Sequence, residues 1–172
     1  MAEIERESIE FDVVIVGAGP AGMSAGLVAA EHGLSTVILD QQGAGGTILQ
    51  YPRRKLVMVQ PVEVPRLGKL PRHEYTKEEL LEIWEGLHRD HGLDIRTGVR
   101  VTRVAAVGRR WEVETDRGGV FTSDAIIATP PVPQTLALLD AGRTKLDEED
   151  LAALERIDYE PCLAVLAVLD GP

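Results

Sequence analysis

Residues 11–22 read Phe11-Asp-Val-Val-Ile-Val16-Gly17-Ala-Gly19-Pro20-Ala21-Gly22, and this stretch decides the fold. A β-branched run ending on glycine predicts a strand closed by a sharp turn, and the small and apolar residues at 21–31 predict a helix behind it. Gly33 stops that helix, and Ser35-Thr-Val-Ile-Leu-Asp40 supplies a second β-branched run. Two strands joined through a helix within about 30 residues must run parallel, which makes a βαβ unit.

Each glycine of the turn answers a separate steric demand. Gly17 permits the sharp bend, Gly19 lets the backbone approach a diphosphate with no Cβ in the way, and Gly22 lets the helix pack closely on the sheet. The first N–H groups of the helix and the positive end of its dipole then face the phosphates. Asp40 ends the second strand 18 residues beyond Gly22, near the spacing of an acid that accepts from an adenosine ribose. Its charge would repel a 2′-phosphate, which argues against NADP. A bare GxGxxG is weak, but with both strands, the helix and the acid in place it predicts dinucleotide binding. The alternative is a plain glycine turn with Asp40 as a cap or a solvated strand end.

Residues 41–72 break into glycine and proline signals, so an irregular excursion with one short strand at 55–59 is expected. Its stretch from Arg53 to Arg72 carries Arg53, Arg54, Lys55, Arg66, Lys69 and Arg72 against Glu63 alone, and reads as a solvated loop rather than an anion site. Thr76-Lys-Glu-Glu79 matches a capping box and predicts a helix over 77–90, ended by Gly92. Residues 93–97 form a third parallel strand, and runs at 100–107, 111–115 and 120–122 an antiparallel meander. A separate buried strand follows at 124–129, then helices at 133–140 and 147–156, and Cys162-Leu-Ala-Val-Leu-Ala-Val-Leu169 as a buried strand or core segment.

Composition sets the limits. With 172 residues there is room for one domain: an acidic tail over 1–10 and a single domain over 11–172. Basic residues number 18 and acidic 28, a net charge of −10, which argues against nucleic acid and anionic membranes as partners. Cys162 is the sole cysteine, so no internal disulfide, thiol redox pair or cysteine zinc cluster can form. His32, His73, His88 and His91 lack metal-ligand spacing. No apolar run is long enough to cross a bilayer, and the N-terminus has no signal-like apolar core, so a cytoplasmic protein is expected.

The chain resembles the FAD-binding domain of the glutathione-reductase-like flavoproteins over nearly its whole length. Residues 11–115, including Gly45-Gly-Thr-Ile-Leu-Gln-Tyr-Pro-Arg-Arg-Lys-Leu-Val-Met58, look thioredoxin-reductase-like. From residue 120 onward, Ala128-Thr-Pro-Pro131 and Tyr159-Glu-Pro-Cys-Leu-Ala-Val-Leu166 look like the renalase and amine-oxidase branch. The resemblance thus implies an engineered or recombined minimal FAD domain. It also implies a three-layer Rossmann-like α/β fold, with a central parallel sheet, helices on one face and an antiparallel β-meander on the other.

By the same resemblance FAD is the cofactor. Its diphosphate falls to Gly17, Gly19, Pro20, Ala21 and Gly22, its ribose to Asp40 with Gln41 beside it, and its flavin end to Gly45, Gly46 and Thr47. Val101 contacts adenine through its backbone, and Ala128, Thr129 and Pro130 approach from the returning strand. The chain departs from the reductases in lacking a second GxGxxG and a Cys-x-x-Cys pair, so disulfide reduction is not carried over. The expectation is a flavin module with slow redox activity at most. Two alternatives stand beside it. One is a flavin- or NAD-dependent oxidoreductase completed by a missing partner or by a homodimer through the exposed flavin edge or the apolar C-terminal segment. The other is a scaffold that keeps no cofactor.

Overall fold

Two faces of one sheet organise the molecule, and the computed structural model describes them through residues 8–60 and 62–160. Strand β1 (Ser8–Val16) leads through helix α1 (Pro20–Glu31) to β2 (Thr36–Asp40), as the glycine turn requires. The excursion then forms a 3-10 turn at Gly46–Gln50 and four short strands, β3 (Leu56–Met58), β4 (Glu63–Val64), β5 (Gly68–Lys69) and β6 (Glu74–Thr76). Helix α2 (Lys77–His91) follows, then β7 (Asp94–Thr97), β8 (Val101–Val107), β9 (Arg110–Thr115) and β10 (Val120–Ala128). Helices α3 (Val132–Ala141) and α4 (Glu148–Glu155) close the described part.

The main sheet has the order β7-β2-β1-β10-β9-β8, and β7, β2, β1 and β10 are mutually parallel. On one face Val13, Ile15 and Ile38 pack against Met23 and Leu27 of α1 and Leu80, Trp84 and Leu87 of α2. On the other, Val14, Val37 and Leu39 pack against Val104, Val113 and Phe121, so the meander covers the face that the helices leave open. This is the three-layer α/β arrangement, with β10 carrying the meander as a continuation of the same sheet. Helix α3 and the turn after it shield the outermost strand β8: beyond the helix, the Thr144 hydroxyl donates to the Val104 carbonyl and accepts from the Ala106 amide. The Thr76 capping box forms as expected, and Gly92 ends α2 in the left-handed region.

Several boundaries differ from the sequence expectation. Ser8 to Glu10 are strand rather than tail, because Ser8 to Phe11 pair in register with Val120 to Ser123. The runs at 120–122 and 124–129 are one strand, since the register from Ser8↔Val120 to Val16↔Ala128 keeps one offset. Ser123, between the two expected runs, is accommodated inside the strand because its fully buried hydroxyl donates to the Ala125 carbonyl at 2.7 Å and so leaves no unmet donor. The excursion contains four short strands in two small antiparallel sheets, β3 with β6 and β4 with β5, instead of one strand. The apolar segment at 162–169 lies outside the described residues.

Candidate cofactor-binding site

A cleft of about 570 Å³ opens at the C-terminal ends of the parallel strands, lined from the turns after β1, β2 and β10 and from α3. Parallel α/β sheets place ligands there, outside the carboxyl ends of their strands, and the volume falls in the usual range for small-molecule sites. Of the residues expected in the site, Gly17, Gly19, Asp40, Gln41, Gly46, Thr47, Val101, Thr129 and Pro130 line it. Pro20 and Ala21 stand at the exposed start of α1, Ala128 is the exposed last residue of β10, and Gly22 and Gly45 are buried behind the wall.

Sterics explain the glycines. Gly17 has φ +103°, and a Cβ there would meet Thr129 Oγ1 at 2.3 Å; that hydroxyl donates to the Val16 carbonyl at 2.8 Å and ties β10 to the turn. A Cβ on Gly22 would sit 1.9 Å from the Gly17 carbonyl oxygen. One on Gly46 would come within 2.9 Å of Gly19 Cα, and Gly45 N–H donates to the Ala18 carbonyl, so the excursion clasps the fingerprint turn. At Gly19 a Cβ would meet nothing within 4 Å: the space above the turn is open. No side chain caps α1 and its first turn holds no acid, so its leading N–H groups are left for an anion. These features fit a dinucleotide diphosphate.

Asp40 does more than the sequence indicated. Its Oδ2 accepts from the Ala18 N–H at 2.7 Å, and its Oδ1 accepts from Gln42 and Gly43 N–H at 2.6 and 2.9 Å. The carboxylate therefore pins the fingerprint turn to the end of β2, and of its roughly four acceptor positions about one remains for a sugar hydroxyl. The Asp40 carbonyl also accepts from Val99 N–H, which draws the β7–β8 link against the cleft.

Sequence reasoning missed Val99, Arg100, Pro131, Gln134, Ala137 and Leu138, which form the opposite wall. Arg100 brings a positive charge to the rim, with its Nε 3.7 Å from Asp116. The signal for the α3 residues was the placement rule itself, because the helix after a parallel strand borders the crevice. Trp84 is core, as expected, and Trp111 belongs to the meander. Among the described residues no group of three or more His, Cys, Asp or Glu is placed to hold a metal ion, and no helix is long and apolar enough to cross a membrane.

Known proteins share this architecture. A bacillithiol disulfide reductase from Staphylococcus aureus superposes with a TM-score of 0.64 at 16% identity, a likeness of fold, over 70% of this chain and 38% of its own. A flavin-containing monooxygenase from Stenotrophomonas maltophilia has a TM-score of 0.62 at 26% identity, with the same coverage of 70% and 38%. In sequence, a ferredoxin–NADP reductase of Staphylococcus saprophyticus is 30% identical over 141 residues, which is 78% of this chain and 38% of the reductase. A thiamine thiazole synthase of Sulfolobus acidocaldarius is 45% identical over 146 residues, 72% of this chain and 54% of the synthase. The chain thus spans roughly two fifths to a half of the length of these relatives.

Fold, cleft and relatives together define a Rossmann-like, FAD-binding domain of the flavin-dependent oxidoreductases. More particularly, the chain belongs to the pyridine nucleotide-disulphide oxidoreductase family, whose model matches residues 14–131.

Proposed function

We propose that the chain is a minimal FAD-binding module that holds the cofactor across the cleft as one domain, residues 11–172, with slow flavin redox chemistry at most. The observation that carries this reading is the uncapped start of α1 beneath open space at Gly19. Gly17, Gly19, Ala21 and Gly22 take the diphosphate, and the remaining acceptor position of Asp40 takes one ribose hydroxyl, with Gln41 beside it. Gly45, Gly46 and Thr47 border the flavin end, Val101 meets adenine, and Ala128, Thr129 and Pro130 close the far side. The isoalloxazine supplies the redox chemistry, and the protein supplies binding and orientation. Disulfide reduction is no part of the proposal, because Cys162 is the sole cysteine.

The coverage of 38% favours a second reading, in which a partner or a second copy completes an oxidoreductase. The recombined origin read from the sequence has its seam between residues 115 and 120, and the family match over 14–131 runs across that seam. Thermal unfolding titrated with FAD, NAD and ADP tests the first reading, because a ligand that binds only the native state raises the midpoint with its concentration. FAD should raise it most; stabilisation by NAD without FAD would overturn the assignment. Turnover with a defined electron donor would favour the second reading.

A further inference from the structure

We infer that residues 162–169 of this chain pair antiparallel with the open edge of β10 at residues 124–128 and complete the sheet there. The inference rests on strand geometry and not on the FAD assignment.

Strand β10 is only half paired on the side away from β1. Strand β1 flanks its whole length, from Ser8↔Val120 to Val16↔Ala128, but the pairing with β9 stops at Ser123↔Trp111. Thr129 N–H donates to the Val16 carbonyl at 3.0 Å, and backbone groups alternate sides along a strand, so those of Ile127 face β1 as well. The N–H and C=O groups of Ile126 and Ala128 therefore point the other way, where no described strand meets them. Unmet ladder groups are a template for a further strand.

The outer edges of the sheet are guarded. Thr144 occupies the backbone of β8, and Asp94 and Arg96 place charge on β7. On the open stretch of β10 the one charge is Asp124, whose Oδ1 lies 3.4 Å from Arg110 Nε. The rest is apolar, and Ala125, Ile127 and Ala128 are exposed.

The chain itself supplies an occupant. Residues 162–169, outside the described part, read Cys162-Leu-Ala-Val-Leu-Ala-Val-Leu169, apolar throughout. Pro161 precedes the run, where its missing N–H costs no ladder bond. The end of the described chain sets the direction. Tyr159 Oη accepts from Val132 N–H at 2.9 Å, just past the last residue of β10, so the chain arrives at the carboxyl end of that strand. The link from Tyr159 to Cys162 reaches at most about 11 Å, less than the roughly 13 Å that separate Ala128 from Asp124 along the strand. Residues 162–169 then enter beside Ala128 and run against β10, and their extended length of about 24 Å exceeds what the edge requires. The added ladder meets the outward groups of Ile126 and Ala128 and covers Ile127.

Amide exchange and a spin label on the full chain, read by NMR without FAD, test this. The Ile126 and Ala128 amides should exchange slowly in the parent chain. Val165→Pro with Leu166→Pro removes a ladder N–H in either register, and should speed both amides at least tenfold while the Val14 and Val16 amides, which report the native sheet, stay protected. Free exchange of Ile126 and Ala128 in the parent chain would overturn the inference, as would protection that survives both prolines. Should the prolines unfold the chain, the label decides alone. A nitroxide on Cys162, the sole cysteine, should broaden Ala128 and Thr129 more than Ser123 and Asp124. No such gradient, or the reverse one, refutes the antiparallel pairing. Broadening of an isotope-labelled chain by a spin-labelled second copy would give the edge to another molecule and refute it too.

Discussion

Replacing Asp40 by Asn separates two duties that the sequence merges into one. The substitution is isosteric. The Asn carbonyl oxygen can still accept from Gln42 and Gly43, but the amide nitrogen then faces the Ala18 N–H across a donor–donor contact. Ala18 is fully buried, so its N–H cannot turn to water instead. The loss is one hydrogen bond to a charged group together with one unmet buried donor, about 1.5–3 kcal/mol. With a urea dependence of about 2 kcal/mol per molar, the unfolding midpoint of the cofactor-free protein should drop by about 1 M. A domain of ordinary stability survives that loss, so FAD titration of the same variant remains feasible. If Asp40 served only the ribose, the cofactor-free midpoint would stay put and FAD affinity alone would fall. An unmoved midpoint in the absence of FAD refutes the clasp.

Gly17→Ala should destabilise the protein by about 3 kcal/mol in urea unfolding, through φ +103° and the collision with Thr129 Oγ1. Pairing it with Thr129→Ala should recover only the collision, because the backbone strain stays. Thr76→Ala should cost about 1 kcal/mol by removing the cap of α2, read by the same assay. Acid should expose Glu79, whose carboxyl is lowered from 4.5 to about 2 first by the Thr76 backbone N–H, then by the Arg72 guanidinium and the Thr76 hydroxyl. Because the folded value is the lower one, its contribution is complete above about pH 4.5 and disappears as pH falls through about 2. Unfolding midpoints between about pH 6 and 2 should therefore fall less steeply for Glu79→Gln than for the parent chain.

The βαβ unit was legible because its demands are local. A β-branched run, three glycines at fixed offsets and an acid ending the next strand each constrain the backbone within a few residues. The capping box at Thr76 and the stop at Gly92 were readable for the same reason. Tertiary partnership was not. Ser8 to Glu10 look like tail, and become strand only because Val120 to Ser123, more than a hundred residues away, offer a matching ladder. The α3 wall of the cleft depends on how that helix crosses the end of the sheet, which no spacing within 132–141 encodes.

Asp40 shows the limit most sharply, because spacing located the residue and only the structure shows where its oxygens point. A carboxylate holding three amides within 2.6–2.9 Å fixes the fingerprint turn whether or not a ligand is bound. The diphosphate cradle is then organised before any cofactor arrives, and ordering the turn is no longer a cost charged to binding. A single remaining acceptor position should hold one sugar hydroxyl strongly and the other weakly. FAD analogues lacking the 2′- or the 3′-hydroxyl of the adenosine ribose should therefore differ in affinity, one losing about tenfold and the other little. Equal losses from both would mean that the carboxylate leaves its amides and opens toward the sugar, and the turn would then be a consequence of binding.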